Sequence, residues 1–568
     1  MVAHAALPLR RKGPGMNFAQ LESTQFDVCV VGSGASGGIA AKALCELGAK
    51  VCVLEIGEWK NPGRDFRSHI LPFELPDRGL HGEYTRQLYG DSQLFRHSSV
   101  GSDLAPYIIL PAVGGKTLLW AGHSWRFGPR DFRSRALRGA GEDWPLSYND
   151  LAPYYERAEE IMGVCGARDG LEVIPDGNFL PPLNFRCGEL RIRRALPQLG
   201  PRFRMISTRK AINTISHGGR PPCHYCGRCM KGCDVDAKYT SANTAIPAAL
   251  RTGRCTLVTG AMASQVLLES AGTRVRGVTF IEVNSRQERR VRCRAVALAC
   301  GPVESARLLL LSASKTFPQG LANRSGQVGK NLQTSINLTT EGYLKSLLGN
   351  PTVNDDGTDI FHGTIPNPYY ERAHADFPNG YLINVGSGIQ LTLSSSAQMD
   401  SAKMIPGFGR DYKKSVRAIA PALVALGCQG QTMASASNFV DLDPEVRDGF
   451  GLPAIRLHFR LGDYELAMMR DMRAVTGAII EAAGGAVINP DAAGGIDPSH
   501  YVGTCRMGTD PAHSVLNEYC QSHDSENLFV VDGGSFPSYP EKNPTETVIA
   551  ISLRAAEHLA EQLRKGSF

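Results

Sequence analysis

The sequence predicts an α/β fold in which a largely parallel sheet is interleaved with an α+β domain built on an antiparallel sheet. Three observations predict it. A strand, a glycine-rich turn, a helix and a second strand follow one another at residues 26–58. Two more apolar strands, each followed by a helix, occur far along the chain at residues 290–312 and 527–563. Residues 380–394 and 453–461 alternate apolar and polar side chains, a pattern typical of antiparallel strands with one buried face.

The N-terminal unit begins with a strand and a glycine-rich turn. Its strand, FDVCVV, is apolar almost throughout, as expected of a parallel strand buried on both faces, and it leads into GSGASG. Gly32 permits the tight turn and Gly34 lets the backbone approach a pyrophosphate. Gly37 lets the helix pack closely on the strand. A G-x-G-x-x-G in this setting predicts a dinucleotide site.

The helix and the second strand complete that site. Ala35 and Ser36 stand at the N-terminus of the helix GIAAKALCELG, where backbone amides and the helix dipole meet phosphates. Glu55 ends the second strand, KVCVLE, where a carboxylate can accept hydrogen bonds from an adenosine ribose. The motif alone leaves NAD and FAD open.

Composition and charge exclude two classes of partner. The chain has 568 residues, with 61 Lys and Arg against 55 Asp and Glu, and a net charge of +6 that is spread along its length. This balance gives no electrostatic case for nucleic-acid binding. No run approaches the ~18 consecutive apolar residues of a transmembrane helix, and the longest candidate, residues 418–428, is better explained as core. The sequence therefore predicts no membrane-spanning segment.

The N-terminal residues and the cysteines indicate the compartment. Arg10 and Arg11 resemble a twin-arginine signal, but no apolar segment follows them. Residues 1–22 are expected to be a disordered tail. The fifteen cysteines are odd in number and scattered outside one cluster, which is typical of buried thiols in a reducing compartment. We expect a cytoplasmic protein, with export on a signal-bearing partner subunit as the alternative.

The C-terminal segment of the sequence favours FAD over NAD. Return of the chain to the nucleotide domain at residues 527–563 is unusual for NAD dehydrogenases and common in large flavoproteins. At this point the sequence resembles the glucose–methanol–choline (GMC) oxidoreductase family along nearly its whole length. The resemblance rests on seven ordered segments: GSGASG, LPAVGGKTLLWAGHSWRF, WPLSYNDLAPYYERAEEIMGVCG, GPVESARLLLLS, VGKNLQ, HYVGTCRMG and the loop from Asp532-Gly533 to Asn543.

The resemblance implies a Rossmann-like FAD-binding domain and a substrate domain. We expect residues 1–58, 223–332 and 496–568 to form the first, and residues 59–222 and 333–495 to form the second. In addition to the N-terminal turn, it implies that seven positions contact FAD: Gly114, Gly115, Thr117, Gly301, Asp532, Gly533 and Thr545.

The attachment of FAD follows from one motif. Some family members bind FAD covalently through a histidine in the segment equivalent to KTLLWAG, which here has Leu118 and Leu119 instead. His123 lies further on, at a different offset, and is expected to be structural. The sequence therefore predicts non-covalent FAD.

The catalytic pair also follows from the resemblance. Family members oxidise an alcohol by removing its proton and passing a hydride to the flavin, so a base near the operating pH is needed. His500 occupies the family's histidine position, and Asn543 occupies the paired position, which is His or Asn. Asn543 can orient the alcohol by hydrogen bonds but cannot serve as a base. We therefore expect His500 to be the catalytic base.

Four cysteines in CHYCGRCMKGC admit two interpretations. Cys223, Cys226, Cys229 and Cys233 have the C-x2-C-x2-C-x3-C spacing of bacterial ferredoxins. Some sugar dehydrogenases of the family hold an iron–sulfur cluster near this point, which would let a two-electron flavin discharge singly to a cytochrome. Other members carry a cysteine-rich loop here without a metal, and Asp234 replaces the usual following proline. Both interpretations stay open at this point.

The substrate is expected to be a sugar or glycoside. Residues 174–185 resemble a segment of glucoside 3-dehydrogenases and pyranose oxidase-like enzymes, which implies oxidation of a secondary ring hydroxyl to a keto-sugar. A dehydrogenase with a cytochrome acceptor and a small subunit is favoured over an oxygen-using alcohol or sterol oxidase. A flavin electron-transfer subunit without alcohol chemistry is the third possibility, and the presence of His500 speaks against it.

Overall fold

The computed structural model describes residues 18–66, 94–101, 107–270, 272–351, 357–358, 361–388 and 407–568. Their strands form two seven-stranded sheets and one three-stranded sheet. The helices are α1 Phe18–Ser23, α2 Ala35–Glu46, α3 Pro62–Asp65, α4 Ser134–Arg138, α5 Tyr148–Met162, α6 Cys187–Ala195, α7 Ala245–Arg251, α8 Pro302–Leu311, α9 Gly409–Ile419, α10 Asp463–Ala482 and α11 Thr545–Lys565. Among these described helices, none is both long enough and apolar enough to span a bilayer.

The first sheet is mainly parallel and takes its strands from distant parts of the chain. Its order is β5-β2-β1-β8-β7-β6, with β17 also paired to β8. Its strands are β1 Gln25–Val31, β2 Val51–Leu54, β5 Cys255–Val258, β6 Ala261–Leu268, β7 Val275–Glu282, β8 Glu288–Leu298 and β17 Leu528–Val530. β6, β7 and β8 pair antiparallel, and the other pairs are parallel.

The predicted apolar strands lie at the centre of this sheet. β1 pairs with β2 on one side and with β8 on the other, and Val28 to Val30 are fully buried. α2 packs against α7 and α11, and α11 also packs against α5. Burial of the strand on both faces explains why its sequence is apolar rather than alternating.

The second sheet is antiparallel. Its order is β15-β9-β12-β11-β10-β4, and β16 also pairs with β9. The strands are β4 Ile206–Ser207, β9 Ser335–Leu344, β10 Phe361–Ile365, β11 Tyr381–Ser387, β12 Leu423–Gln431, β15 Gly485–Val487 and β16 Gly495–Ile496. β11 confirms a strand in the first alternating segment, of which residues 389–394 lie outside the described part of the chain.

The second alternating segment belongs to a separate sheet. β14 (Pro453–His458) pairs antiparallel with β13 (Phe439–Arg447) and parallel with β3 (His97–Val100). Alternation predicted the strand but could not predict its partner, because pairing depends on segments far apart in sequence.

The N-terminal tail requires a correction. Residues 18–23 form α1, whose Leu21 is buried and whose Phe18 ring lies 6.4 Å from that of Phe280. Burial of these apolar side chains holds the last residues of the predicted tail in place. Residues 1–17 lie outside the described part of the chain.

Candidate active site

The glycine-rich turn between β1 and α2 has the geometry of a phosphate-binding turn. Gly32 has φ +98°, a conformation that favours glycine, and a Cβ on Gly37 would lie 1.9 Å from the carbonyl oxygen of Gly32. A Cβ on Gly34 would meet nothing within 4 Å. Gly32 and Gly37 are thus required by the backbone itself, whereas Gly34 borders open space beside the N-terminus of α2. That space suits a pyrophosphate.

Glu55 closes one end of this turn. Its carboxylate accepts hydrogen bonds from the amide (3.1 Å) and hydroxyl (2.6 Å) of Ser33 and from the amide of Gly57 (2.9 Å). Burial raises the pKa of Glu55, and these bonds oppose that rise. The side chain is held in a fixed position at the cavity wall, as a ribose-binding carboxylate requires.

The predicted second glycine pair lies directly against the first turn. The amide of Gly114 donates to the hydroxyl of Ser33 (3.0 Å), and a Cβ on Gly115 would lie 3.3 Å from the Cα of Gly34. Thr117 donates to the carbonyl of Gly114 and accepts from the amide of Ser241. The hydroxyl of Thr117 therefore fixes the turn.

A third set of cofactor residues comes from the C-terminal return. Asp532 accepts hydrogen bonds from the amides of Gly301 (3.0 Å) and Gly534 (2.8 Å) and from the hydroxyl of Ser305 (2.6 Å). Burial raises the pKa of Asp532 to about 6. These bonds join the N-terminus of α8 to the segment after β17.

All these elements surround one cavity of about 580 Å³. The predicted residues that line it are Gly32, Gly34, Ala35, Ser36, Glu55, Gly115, Thr117, Gly301, His500, Asp532, Gly533, Asn543 and Thr545. Gly37 and Gly114 lie behind the lining. A cavity wall that joins the predicted phosphate turn, the predicted ribose carboxylate and the predicted catalytic histidine fits a dinucleotide with its reactive ring near His500.

His500 is positioned by three side chains. Its Nδ1 lies 3.2 Å from Oδ2 of Asp497 and 3.1 Å from the hydroxyl of Ser335, and its Nε2 lies 3.3 Å from Nδ2 of Asn543. Nδ1 donates to the carboxylate, and Nε2 accepts from the amide, when the ring is neutral with its proton on Nδ1. Nε2 is then the basic atom.

The electrostatics agree with a base that is neutral at rest. Burial lowers the pKa of His500, with the nearby Lys116 adding to the effect, while Asp497 opposes it. Burial alone would raise the pKa of Asp497, but His500 and Ser499 hold it below its ordinary value. The pair is a neutral imidazole beside a charged carboxylate.

Asp497 and Ser335 were missed by sequence reasoning. Asp497 stands three residues before His500 in DPSH, a short-range signal that could have been used. Ser335 begins β9 and reaches His500 only through the fold, so no local pattern indicates it.

Asn543 lies on a loop that is held in place by the buried ion pairs of its neighbour Lys542. The ammonium group of Lys542 is fully buried and pairs with Asp131 (2.8 Å) and Glu541 (2.7 Å). Oδ1 of Asn543 is buried and has no hydrogen-bond partner among the described residues. The anchored loop thus directs one donor to His500 and leaves one acceptor unused.

A polar wall from the antiparallel sheet faces the same cavity. It consists of Asn337 and Thr339 on β9, Asn384 on β11 and Gln429 on β12. Asn337 donates to Asp497 (2.9 Å) and Gln429 donates to the carbonyl of Glu541 (2.8 Å). Oδ1 of Asn384 accepts from the hydroxyl of Thr364 (2.9 Å). The amide nitrogen of Asn384 and the amide oxygens of Asn337 and Gln429 have no such bond among the described residues and can serve a ligand in the cavity.

Gly427 leaves space in this wall because it has no side chain. It lies between Thr339 and Asn384 in the strand register, and a Cβ there would lie 2.9 Å from the ring of Phe361. The wall was not predicted, because its members are far apart in sequence and meet only when β9, β12 and β11 pair.

The arrangement of the four cysteines in the described structure does not support the iron–sulfur interpretation. Cys229 donates to the carbonyl of Thr358, and Cys223 accepts from the amide of Tyr225 (3.2 Å). Burial raises the pKa of Cys223 to about 12 and also raises that of Cys226. Across the described residues, which include all four cysteines, no group of three or more His, Cys, Asp or Glu could hold a metal ion.

The cysteine loop is bonded to the second glycine turn and contributes to the cavity wall. The ammonium group of Lys238 donates to the carbonyls of Leu118 (3.1 Å), Trp120 (2.8 Å) and Cys229 (2.5 Å), which joins the loop to the second glycine turn. Met230 then lines the cavity.

Comparison with known proteins decides the family. Two sequence profiles of GMC oxidoreductases match residues 111–336 and 434–552. The chain is 30% identical over 558 residues to the 2-methyl-1,2-propanediol dehydrogenase of Mycolicibacterium austroafricanum, covering 95% of this chain and 96% of the relative. The chain belongs to the GMC oxidoreductase family.

Two further comparisons extend this result. The GMC oxidoreductase is 26% identical over 574 residues to the fructose dehydrogenase large subunit of Gluconobacter japonicus, covering 96% and 99% of the two chains. A solved structure of the formate oxidase of Aspergillus oryzae matches the fold with a TM-score of 0.64 at 15% identity, covering 96% and 100%. The predicted architecture, a parallel-rich FAD-binding sheet with an antiparallel substrate sheet, is confirmed.

Family membership gives the general activity. The protein is an FAD-dependent oxidoreductase that acts on CH–OH groups, and the cavity residues fit that cofactor. The glycine turn and Glu55 would hold the adenosine half of FAD, and the turn at Gly114 with Asp532 would hold the rest.

Proposed function

We propose that the protein oxidises a secondary alcohol of a sugar or polyol to a ketone. The observation that carries the proposal is the polar wall of Asn337, Thr339, Asn384 and Gln429 facing His500 across one cavity. A simple alcohol has one hydroxyl group and does not need this wall. A sugar has several, and amides that both donate and accept suit them. The fructose dehydrogenase relative supports the same class.

The residues of this chain set up the reaction as follows. Nε2 of His500 takes the proton of the substrate hydroxyl while Asp497 stabilises the resulting imidazolium. Nδ2 of Asn543, which contacts Nε2 of His500 in the ligand-free protein, donates a hydrogen bond to the oxygen of the same hydroxyl and orients it. Bound FAD supplies the acceptor for the hydride of the carbinol carbon. The protons and electrons then balance as a two-electron oxidation.

The finer assignments are also proposals. We propose a keto-sugar product from a ring hydroxyl, as in glucoside 3-dehydrogenases, and a dehydrogenase rather than an oxidase. Two relatives are named dehydrogenases, and one is the large subunit of a larger enzyme. A small subunit and a cytochrome acceptor are the proposed partners. We propose that electrons leave the flavin directly, since no metal-holding group is found among the described residues.

Anaerobic bleaching of the bound flavin tests the proposal. We expect D-fructose, D-glucose or an alkyl glucoside to reduce the flavin of the purified holoenzyme, with reoxidation faster by a dye than by air. Flavin that stays oxidised with every sugar and polyol, but is reduced by a long-chain alcohol, contradicts the proposed substrate class. Brisk peroxide formation in air contradicts the dehydrogenase assignment.

A further inference from the structure

The cavity contains a second imidazole, that of His123, which the proposed proton and hydride transfers do not use. His123 is 6% exposed and lines the cavity that holds His500. Its Nδ1 is buried without a hydrogen-bond partner among the described residues. Its ring meets that of Trp125 edge-on at 6.5 Å, an apolar contact that fixes the ring. Because Nδ1 is enclosed by protein in the ligand-free structure, Nε2 is the ring nitrogen that a ligand in the cavity can reach.

The surroundings of His123 keep its ring neutral. Burial lowers its pKa far below the ordinary value, and Lys210 and His500 add to that effect. In a neutral imidazole Nε2 is either a donor or an acceptor, depending on the tautomer, and a hydroxyl group can pair with either. His123 is therefore a poor base beside His500, whose Asp497 partner favours protonation. The two histidines of the cavity differ in role because only one has a carboxylate.

We propose that His123 binds a second hydroxyl group of the substrate, beside the one that His500 deprotonates. The cavity then selects diols and polyols over alcohols with a single hydroxyl. This inference rests on the proposed function and adds a specific residue to it. It differs from the sequence-based expectation that His123 is structural.

A matched pair of substrates isolates the second hydroxyl. Butane-2,3-diol and butan-2-ol both present a secondary alcohol and differ in the neighbouring hydroxyl group. We expect wild-type holoenzyme to reduce its flavin with a higher kcat/KM for the diol. His123→Phe should lower that value roughly 10-fold or more for the diol, mainly through KM, and change it less than about 3-fold for the mono-alcohol. His123→Asn, which keeps a donor and an acceptor, should restore part of the preference.

His558→Phe is the matched control. His558 also has a buried ring nitrogen without a partner among the described residues, but its ring stacks on Tyr519 outside the cavity. Its replacement should leave the diol preference unchanged. FAD content measured on each variant separates loss of cofactor from loss of selectivity.

Two results would overturn the assignment. One is an equal loss with both alcohols in His123→Phe that still contains FAD, which would make the ring a packing residue. The other is a wild-type enzyme that oxidises both alcohols without preference. Failure of the proposed function looks different, because no sugar, polyol or diol would then reduce the flavin of the wild-type enzyme.

Discussion

At the residue scale, the proposed mechanism places the basic atom at Nε2 of His500. Asp497 and Ser335 occupy Nδ1, so Nε2 faces the substrate side together with Asn543. His500→Ala should lower the rate of flavin reduction by a sugar about 10²-fold or more, the usual contribution of a positioned base. FAD should remain bound, since the glycine turns are untouched. A stopped-flow rate equal to that of the wild type would place the base elsewhere.

The pH dependence of the same step follows from the lowered pKa of His500. Only the neutral ring accepts a proton, so the rate falls as pH decreases through that pKa and is flat above it. Because burial lowers the pKa below the ordinary value of 6.5, the flat region should begin on the acid side of neutrality.

Asp497→Asn tests the origin of this behaviour. Removing the carboxylate removes the interaction that raises the pKa of His500, so the acid limb should move to still lower pH. The plateau rate should fall about 10-fold or more, because the imidazolium loses its counter-charge. Asp510→Asn, a change at an exposed aspartate that pairs with His513, is the control and should alter neither quantity. An acid limb moving to higher pH would contradict the arrangement.

Site residues that stand in ordered sequence motifs could be predicted. The residues that contact them from distant parts of the chain could not. His500 and Asn543 stand in segments that match the family, so the sequence indicates both. Ser335 and the polar wall come from strands separated by long stretches of chain. The cysteine spacing indicated a cluster, but backbone carbonyls and amides occupy the thiols of Cys223 and Cys229.

At the element scale, two glycines of the turn from β1 to α2 have different roles. We expect Gly37 to affect protein stability and Gly34 to affect FAD binding. Gly37→Ala would place a Cβ 1.9 Å from a backbone oxygen, although alanine favours a helix by about 1 kcal/mol. We expect a loss of about 1–3 kcal/mol in the free energy of unfolding of the apoprotein. Thermal unfolding without added FAD measures it.

Gly34→Ala should do the opposite. Gly34 has φ −67°, which alanine adopts without strain, and the new Cβ meets no protein atom within 4 Å. The apoprotein should keep its stability within about 0.5 kcal/mol. FAD titration should show weaker binding, because the methyl group enters the space for the cofactor. Unchanged FAD affinity would show that the phosphates lie elsewhere.

Helices and strands of the nucleotide unit were the most predictable elements. β1, β2 and α2 appear where apolar runs and glycines indicate them, since local burial determines both. The sheet to which β14 belongs was not predictable, because register and partner depend on the whole chain.

At the scale of the whole molecule, the bond between protein and FAD can be tested directly. Leu118 and Leu119 occupy the segment in which a histidine would attach the flavin, and neither can form that bond. Acid precipitation of the holoenzyme should release intact FAD into the supernatant. Flavin that stays with the precipitate would contradict non-covalent binding and would direct attention to His123, the histidine nearest in sequence.

The division into two domains remains a prediction at this scale. The parallel-rich sheet takes its strands from three separated parts of the chain, and the antiparallel sheet takes its own from between them. In the sequence, only the return of the chain to the nucleotide domain at residues 527–563 indicated this interleaving. Composition does not change where the chain passes from one predicted domain to the other.

The central position of β1 has a consequence during protein synthesis. Its partner β8 and the neighbouring strand β17 are translated long after it. β2 follows β1 closely and can pair with one edge of it, but at ~5–20 residues per second the other edge waits roughly tens of seconds for β8. The nascent chain is therefore open to aggregation, so that expression at lower temperature or with a holdase chaperone should raise the yield of soluble enzyme.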